Sequence, residues 1–201
     1  MKILENEGHK TGLFFGSFNP VHIGHVMLAN YFLEFTPIDE LQFVLSPQNP
    51  LKPLDSLASE SDRLSMLKLA LAAYPDLPMS VNTAELELSK PSYTVNTLNQ
   101  LQKQNPDTTY LILMGADNLA SIEKWKDYKI ILSEYDICVY PRVGYDLQEL
   151  IERYNVLSVG APIIELSATF LRAAIKNGYN FSTYFPPEVL DYIKEHKLYT
   201  E

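Results

Sequence analysis

The fold is decided by the stretch Gly12-Leu13-Phe14-Phe15-Gly16-Ser17-Phe18-Asn19-Pro20-Val21-His22-Ile23-Gly24-His25. Its apolar start predicts a buried strand, and Asn-Pro after it predicts a tight turn. Two histidines then open a predicted helix, where residues three apart lie on one face. The glycine between them allows another group to come close. A helix N-terminus also offers free N–H groups and a positive dipole end, so the stretch predicts a polyphosphate site.

The paired histidines are interpreted as functional. A single histidine at a helix start is more often a cap or a satisfied polar group than a catalyst. Two of them in the pattern His-x-Gly-His are expected by chance in roughly one chain of this length in a hundred or fewer. The preceding strand and turn make the pattern rarer still, which favours a site over a coincidence.

Length and composition predict one globular domain over residues 1–201, with an N-terminal extension (1–10) and a C-terminal helix and tail (186–201). Hydrophobic residues make up 46% and charged residues 20% of the chain, ordinary values for a soluble protein. No apolar run is long enough for a membrane span, and the first residues lack a signal-peptide pattern. We therefore expect a cytoplasmic protein.

Charge and cysteine content narrow the class of partner. The net charge of −9 argues against a general nucleic-acid binder, although small anions need only a local cationic pocket. Cys138 is the only cysteine, which excludes an internal disulfide and a cysteine-rich metal site. Its apolar neighbours predict that it is a buried packing residue.

Short apolar runs alternate with helical patterns along the chain, as a parallel sheet requires. The runs predict strands at 12–15, 41–45, 79–82, 110–114, 137–140 and 156–159. We expect a Rossmann-like α/β fold, with a mostly parallel sheet and helices on both faces. Ligands should bind at the carboxyl ends of the strands, near the topological switch point. The last helix should run from Pro187 to about 196 and pack Val189, Leu190 and Ile193 inward.

Gly115 and Asp117 follow the predicted fourth strand directly. Glycine there allows close approach of a nucleotide, and the carboxylate can accept ribose hydroxyls or orient hydrated magnesium. A helix cap is the alternative for the carboxylate. Trp125, the only tryptophan, fits either the core or an aromatic platform for a planar ring.

Two further segments have both structural and functional interpretations. Ser167 predicts an N-cap, with Thr169 and Arg172 one turn apart on the helix that follows. That helix is either a second anion site or a capped surface helix. Lys52, in the long loop 46–59, is either solvated or an ammonium that closes over phosphates.

The stretch Pro91-Ser92-Tyr93-Thr94 predicts a helix start, with Ser92 or Thr94 as its N-cap. Arg63 is interpreted as a structural residue or one that supports the site from behind.

Residues 16–25 resemble the signature of the His-x-Gly-His nucleotidyltransferases, and most closely that of the bacterial-type nicotinate-nucleotide adenylyltransferases. The segments around Lys52, Tyr93, Asp117 and Arg172 are similar to that family as well, so the resemblance covers nearly the whole chain. It implies transfer of AMP from ATP to nicotinate mononucleotide, with Mg²⁺ accompanying ATP and no metal site built from protein ligands. The products would be nicotinate adenine dinucleotide and pyrophosphate.

The resemblance also implies roles for individual residues. Catalysis falls to His22, His25 and Arg172. The other residues implied at ATP are Gly16, Ser17, Phe18, Gly24, Lys52, Gly115, Asp117, Ser167 and Thr169. Those implied at the pyridine nucleotide are Asn19, Tyr93, Thr94 and Trp125, with the tryptophan stacking on the pyridine ring.

The chain departs from the family pattern in two places. Leu166 and Ala168 replace an Ile and a Ser before the arginine-bearing helix, and Glu87, Ser89 and Lys90 stand where many relatives carry an arginine. Other interpretations stay open: the amide as acceptor, phosphopantetheine or glycerol phosphate as acceptor, a nucleotide sensor without turnover, and a metal-binding protein using the histidines. The sequence leaves the oligomeric state open, a homo-oligomer included.

Overall fold

Six strands form one sheet in a computed structural model, which describes residues 7–47 and 57–200. The strands occur at the six predicted places, and the last is shorter than expected. They are β1 (Lys10–Gly16), β2 (Glu40–Leu45), β3 (Met79–Asn82), β4 (Thr109–Gly115), β5 (Asp136–Tyr140) and β6 (Leu157–Ser158).

Nine α-helices and two short 3-10 helices connect the strands in the described residues. The α-helices are α1 (Ile23–Phe35), α2 (Glu60–Ala72), α3 (Ala84–Glu87), α4 (Thr94–Gln104), α5 (Ala116–Ala120), α6 (Tyr128–Glu134), α7 (Leu147–Tyr154), α8 (Ala168–Lys176) and α9 (Pro187–Glu195). The 3-10 helices are Ile122–Lys124 and Ser182–Tyr184.

The sheet order is β3-β2-β1-β4-β5-β6, and all five neighbouring pairs are parallel. The order confirms the predicted Rossmann-like architecture. The chain leaves β1 toward one edge of the sheet and later returns to β4 on its other side. This reversal makes the gap between the carboxyl ends of β1 and β4 the switch point, where α/β sheets bind their ligands.

Successive residues of the central strands enter two different cores, one on each face of the sheet. In β1, Leu13 belongs to one core and Phe14 to the other, and in β4 Ile112 and Leu113 divide in the same way. The core around Phe14 receives α1, α2, α8 and α9, whereas α4 to α7 cover the core around Leu13. Helices therefore lie on both faces, as predicted.

The last helix and the cysteine lie as the sequence predicts. α9 begins at Pro187 and buries Val189 and Ile193, with Leu190 partly buried beside them. Cys138 is buried in β5, and this burial raises the pKa of its thiol to about 12. Within the described ranges, none of the helices is long and apolar enough to cross a membrane.

Candidate active site

The turn between β1 and α1 brings the histidines to the switch point. Phe18 has a φ of 42°, in the left-handed region, and a cis peptide bond joins Asn19 to Pro20. The Phe18 ring is buried against Phe43 and lies edge-on to His25, with centroids 5.3 and 5.2 Å away. Packing of this aromatic ring therefore fixes the path of the turn.

The two histidine rings stack on each other at the N-terminus of α1. Their centroids are 3.7 Å apart and their planes differ by 26°. The backbone N–H of His22 donates to Nδ1 of His25 over 3.2 Å. Because Nδ1 is the acceptor, a neutral His25 ring carries its proton on Nε2 and presents a donor there.

Burial keeps the His22 ring neutral. Its side chain is 4% exposed, and this desolvation, with Arg142 adding a smaller effect, lowers its pKa to about 3. Gly24 makes room for the ring, since a Cβ there would lie 3.1 Å from His22 Nδ1. A neutral His22 imidazole can donate a hydrogen bond to a phosphate oxygen but brings no positive charge to the site.

The lowered pKa of His22 makes stability depend on pH. Below about pH 6.5 the His22 imidazole takes up a proton in the unfolded chain. In the folded chain the same imidazole stays neutral down to about pH 3. The free energy of unfolding should therefore fall as the pH is lowered through this window, by up to about 1.4 kcal/mol per unit. Urea titrations of the wild type and His22→Asn from pH 7 to 4 measure the difference. Equal slopes for the two proteins would contradict the assignment.

Helix α8 brings an arginine to the other side of the turn. Arg172 Nη1 donates to the backbone carbonyl of Asn19 over 2.7 Å, and Nη2 donates to Thr169 Oγ1 over 3.3 Å. Ser167 caps the helix, its hydroxyl accepting from the Phe170 N–H at 3.2 Å, as the sequence predicts. The guanidinium is thus tied to the turn that carries the histidines.

A second arginine, Arg142, lines the same cavity, and the sequence reasoning missed it. Arg142 Nε lies 3.5 Å from Asp117 Oδ1, and its guanidinium carbon lies 5.3 Å from the Tyr140 ring centroid. A side chain at Gly115 would collide with the Asp117 carboxylate, so glycine there lets the carboxylate fold back. Arg142 lies two residues past the end of β5, and a basic residue just past a strand end was the available signal.

These groups line one cavity of about 720 Å³, a size that suits a ligand as large as a dinucleotide. Two arginines face a single carboxylate in its lining, which also contains the two imidazoles. The pocket is therefore locally cationic in a chain of net charge −9. Of the residues predicted at ATP, those in the lining are Gly16, Ser17, Phe18, His22, Gly24, His25, Asp117, Ser167, Thr169 and Arg172.

Arg63 holds the floor of this site from behind, in agreement with its structural interpretation. It is 1% exposed, and its guanidinium donates only to backbone carbonyls in the bonds that the described residues show. Two of these carbonyls, of Ser17 and Ser46, follow β1 and β2 directly and lie 2.8 and 2.7 Å from Nη1. The arginine thereby joins the ends of two neighbouring strands.

The residues predicted at the pyridine nucleotide lie in two different places. Asn19 lines the cavity and is 2% exposed. Tyr93 and Trp125 instead pack against the core around Leu13. Phe15, which lines the cavity, packs against the same core. The Lys126 ammonium lies 4.8 Å from the centroid of the Tyr93 ring, so the segments of Tyr93 and Trp125 meet. Thr94 begins α4 at this place.

The predicted N-cap at Ser92 or Thr94 is wrong. Tyr93 occupies the cap position of α4 and makes no side-chain cap bond. The Ser92 hydroxyl donates instead to the buried carboxylate of Glu85 over 2.9 Å, and Thr97 donates to the same group over 3.1 Å. Burial raises the pKa of Glu85 in spite of these bonds. The buried acceptor outcompetes the helix amides for the hydroxyl.

Lys52 and most of the predicted loop lie outside the described residues, so its predicted role stays a prediction. Among residues 7–47 and 57–200, no group of three or more His, Cys, Asp or Glu side chains could hold a metal ion. Asp117 is the carboxylate that the cavity lining contains.

Comparison with known proteins gives a consistent set of relatives. A family described as cytidylyltransferase-like matches residues 13–183. A probable nicotinate-nucleotide adenylyltransferase of Flavobacterium psychrophilum is 42% identical over 94% of this chain and 98% of its own length. A protein of the same description from Bacteroides thetaiotaomicron is 39% identical over 98% of this chain and 96% of its own.

Among solved structures, the Plasmodium falciparum nicotinic acid mononucleotide adenylyltransferase complexed with NaAD superposes with a TM-score of 0.82. The match covers 95% of this chain and 97% of that one at 17% sequence identity. The similarity in structure shows that the two proteins share a fold.

Proposed function

We infer the function from a family premise: this chain belongs to the cytidylyltransferase-like family and, within it, to the nicotinate-nucleotide adenylyltransferases. It is a nucleotidyltransferase that transfers AMP from ATP to nicotinate mononucleotide, in NAD biosynthesis. A phosphate oxygen of the mononucleotide forms a bond to the α-phosphorus of ATP. The bond from that phosphorus to the bridging β-phosphate oxygen breaks, and pyrophosphate leaves.

The observation that supports our assignment of the residues is the locally cationic cavity at the switch point. The mononucleotide phosphate is itself the nucleophile, so no side chain has to form a covalent intermediate. The protein's part is to position the two phosphates and to stabilise charge in the transition state. A cleft with two arginines, two imidazoles and helix N-termini is suited to that part.

We assign the histidine pair to the ATP phosphates, with His25 at the α-phosphate in the transition state. Its Nδ1 is held by the His22 N–H, which leaves Nε2–H as the donor. The His22 ring acts while neutral, so it stabilises phosphate oxygens by hydrogen bonds rather than by formal charge.

The β- and γ-phosphates are assigned to Arg172 and Thr169 on α8, with the helix N-terminus beside them and Lys52 assisting. Arg142 adds a second guanidinium to the cavity lining, held by Asp117 at 3.5 Å. Two guanidinium groups that flank a phosphate chain can neutralise much of its charge.

Magnesium is proposed to accompany ATP, and phosphate and water oxygens would coordinate it. The donor set fits this arrangement, because Asp117 is the carboxylate in the cavity lining and an octahedral protein cage would need more. Asp117 would then hold a water of the ion or a ribose hydroxyl. When bound, the ion would supply positive charge to the phosphate chain.

The pyridine ring is proposed to lie beyond Phe15, where the segments of Tyr93 and Trp125 meet. An indole face suits a planar heteroaromatic ring, and the Lys126 ammonium over Tyr93 suits the ring carboxylate of the acid. We further propose that the chain works as one domain in the cytoplasm.

Pyrophosphate release by the purified protein with MgATP tests the function. Nicotinate mononucleotide, its amide and phosphopantetheine are compared as acceptors. We expect turnover with the acid and a higher kcat/KM for it than for the amide. ATP binding without turnover on any acceptor would instead support a nucleotide sensor, and turnover only with phosphopantetheine would identify another branch of the family.

A further inference from the structure

The C-terminal tail reaches the histidine-bearing turn. Asn19 Oδ1 accepts from the Tyr199 hydroxyl over 2.8 Å, although 180 residues separate the two in sequence. The same oxygen accepts from the Ala58 N–H over 3.0 Å, and the Asn19 carbonyl accepts from Arg172 over 2.7 Å. Asn19 thus collects contacts from the tail, from the segment before α2 and from the phosphate-binding helix.

The backbone of the tail is shaped for this contact. Lys197 and Tyr199 have φ angles of 50° and 63°, in the left-handed region that residues other than glycine seldom adopt. The Leu198 N–H donates back to the Ile193 carbonyl over 3.0 Å, which folds the tail against the end of α9. Lys197 is the left-handed residue with which α9 ends, and Tyr199 is a second one at the contact itself.

The Tyr199 hydroxyl keeps its proton and can donate a hydrogen bond. Burial raises its pKa above the ordinary tyrosine value, while the neighbouring guanidinium groups of Arg172 and Arg63 oppose the rise. The hydroxyl therefore stays protonated at neutral pH and gives its hydrogen to Asn19.

We propose that Tyr199 is a positioning residue for catalysis: the C-terminal tail locks Asn19, and through it sets the placement of Arg172 and the histidine turn. The proposal rests on the function proposed above. Asn19 lies three residues before His22, so a shift of its side chain or carbonyl moves the groups on both sides of the phosphates. Displacements of about 1 Å in such a constellation reduce rates strongly.

A matched pair of variants separates positioning from packing. Tyr192, on α9 of the same C-terminal region, donates its hydroxyl to Asp62 over 3.0 Å and is not among the residues that line the cavity. Tyr199→Phe and Tyr192→Phe each remove one hydroxyl and keep the ring. We expect Tyr199→Phe to lower kcat/KM about three- to tenfold, the size of one hydrogen bond. Tyr192→Phe should leave kcat/KM unchanged and lower only Tm.

A double-mutant cycle with Arg172→Lys gives the second measurement. If Tyr199 acts through Asn19 on Arg172, the losses in the double variant should be clearly less than the product of the single losses. Unchanged kcat/KM in folded Tyr199→Phe, or fully multiplicative losses, would overturn the proposal.

Hydrogen exchange of the wild-type protein tests the same link without turnover. Binding of a non-hydrolysable ATP analogue should slow amide exchange in residues 196–200, because coupling between two sites is reciprocal. Unaltered exchange in the tail at saturating analogue counts against the proposal. A wild type that binds the analogue and protects the tail, yet releases no pyrophosphate with any acceptor, would refute the proposed reaction alone.

Discussion

His25→Ala is expected to lower kcat about 10²–10³-fold, the loss measured when one preorganised transition-state donor is removed. The imidazole is held by stacking on His22 at 3.7 Å and by the His22 N–H, so its Nε2 donor needs little reorganisation during the reaction. KM for ATP should change much less, since the contact strengthens as charge develops at the α-phosphorus. Steady-state kinetics of pyrophosphate release measure both constants.

Two controls make this result specific. His25→Asn offers another side chain that can accept from the His22 N–H, and so tests whether loss of that bond alone explains the effect. His9→Ala removes an imidazole that is exposed just before β1, at the far end of the strand from the site. A folded His25→Ala protein with wild-type kcat would refute the assignment of this residue to the transition state.

Arg63→Met is expected to give the largest loss of stability. The substitution leaves the backbone carbonyl of Pro47 without this donor in a buried place, and those of Ser17, Ser46 and Ala58 without it in partly buried places. Since a buried acceptor left unpaired costs about 1–3 kcal/mol and partly buried ones cost less, the free energy of unfolding should fall by about 3 kcal/mol. Urea denaturation at pH 7 measures the change.

The matched control is Lys68→Met, which makes the same kind of change at an exposed position of α2. Its effect should stay within about 0.5 kcal/mol, as for most surface substitutions. Arg63→Lys keeps the charge but not the fork of donors, so we expect it to recover only part of the loss. If Arg63→Met were as stable as Lys68→Met, the guanidinium would have no part in joining the strand ends.

The strands and the histidine motif could be predicted because their signals are local. Every central strand is buried on both faces, so each appears in sequence as a continuous apolar run. The turn, the glycine and the two histidines that line the cavity lie within ten consecutive residues. A capped helix with Thr169 and Arg172 at i and i+3 is equally readable, since helical spacing alone sets their common face.

The rest depends on contacts between distant segments. Arg142 becomes a site residue only because β5 lies next to β4, and no periodicity reveals that neighbour. The sequence predicts a cap at Ser92 because it cannot place the buried Glu85 carboxylate, seven residues earlier, beside the Ser92 hydroxyl. Asn19 was expected at the pyridine nucleotide, yet its contacts with Tyr199 and Arg172 become visible only in the folded chain.

The contact between Asn19 and Tyr199 also affects the order in which the chain folds during its synthesis. A ribosome makes Asn19 180 residues before it makes Tyr199. While Tyr199 is still inside the exit tunnel, its hydroxyl cannot reach Asn19. The sheet can therefore form during translation, whereas the hydrogen bond between Tyr199 and Asn19 forms only once Tyr199 itself has left the tunnel.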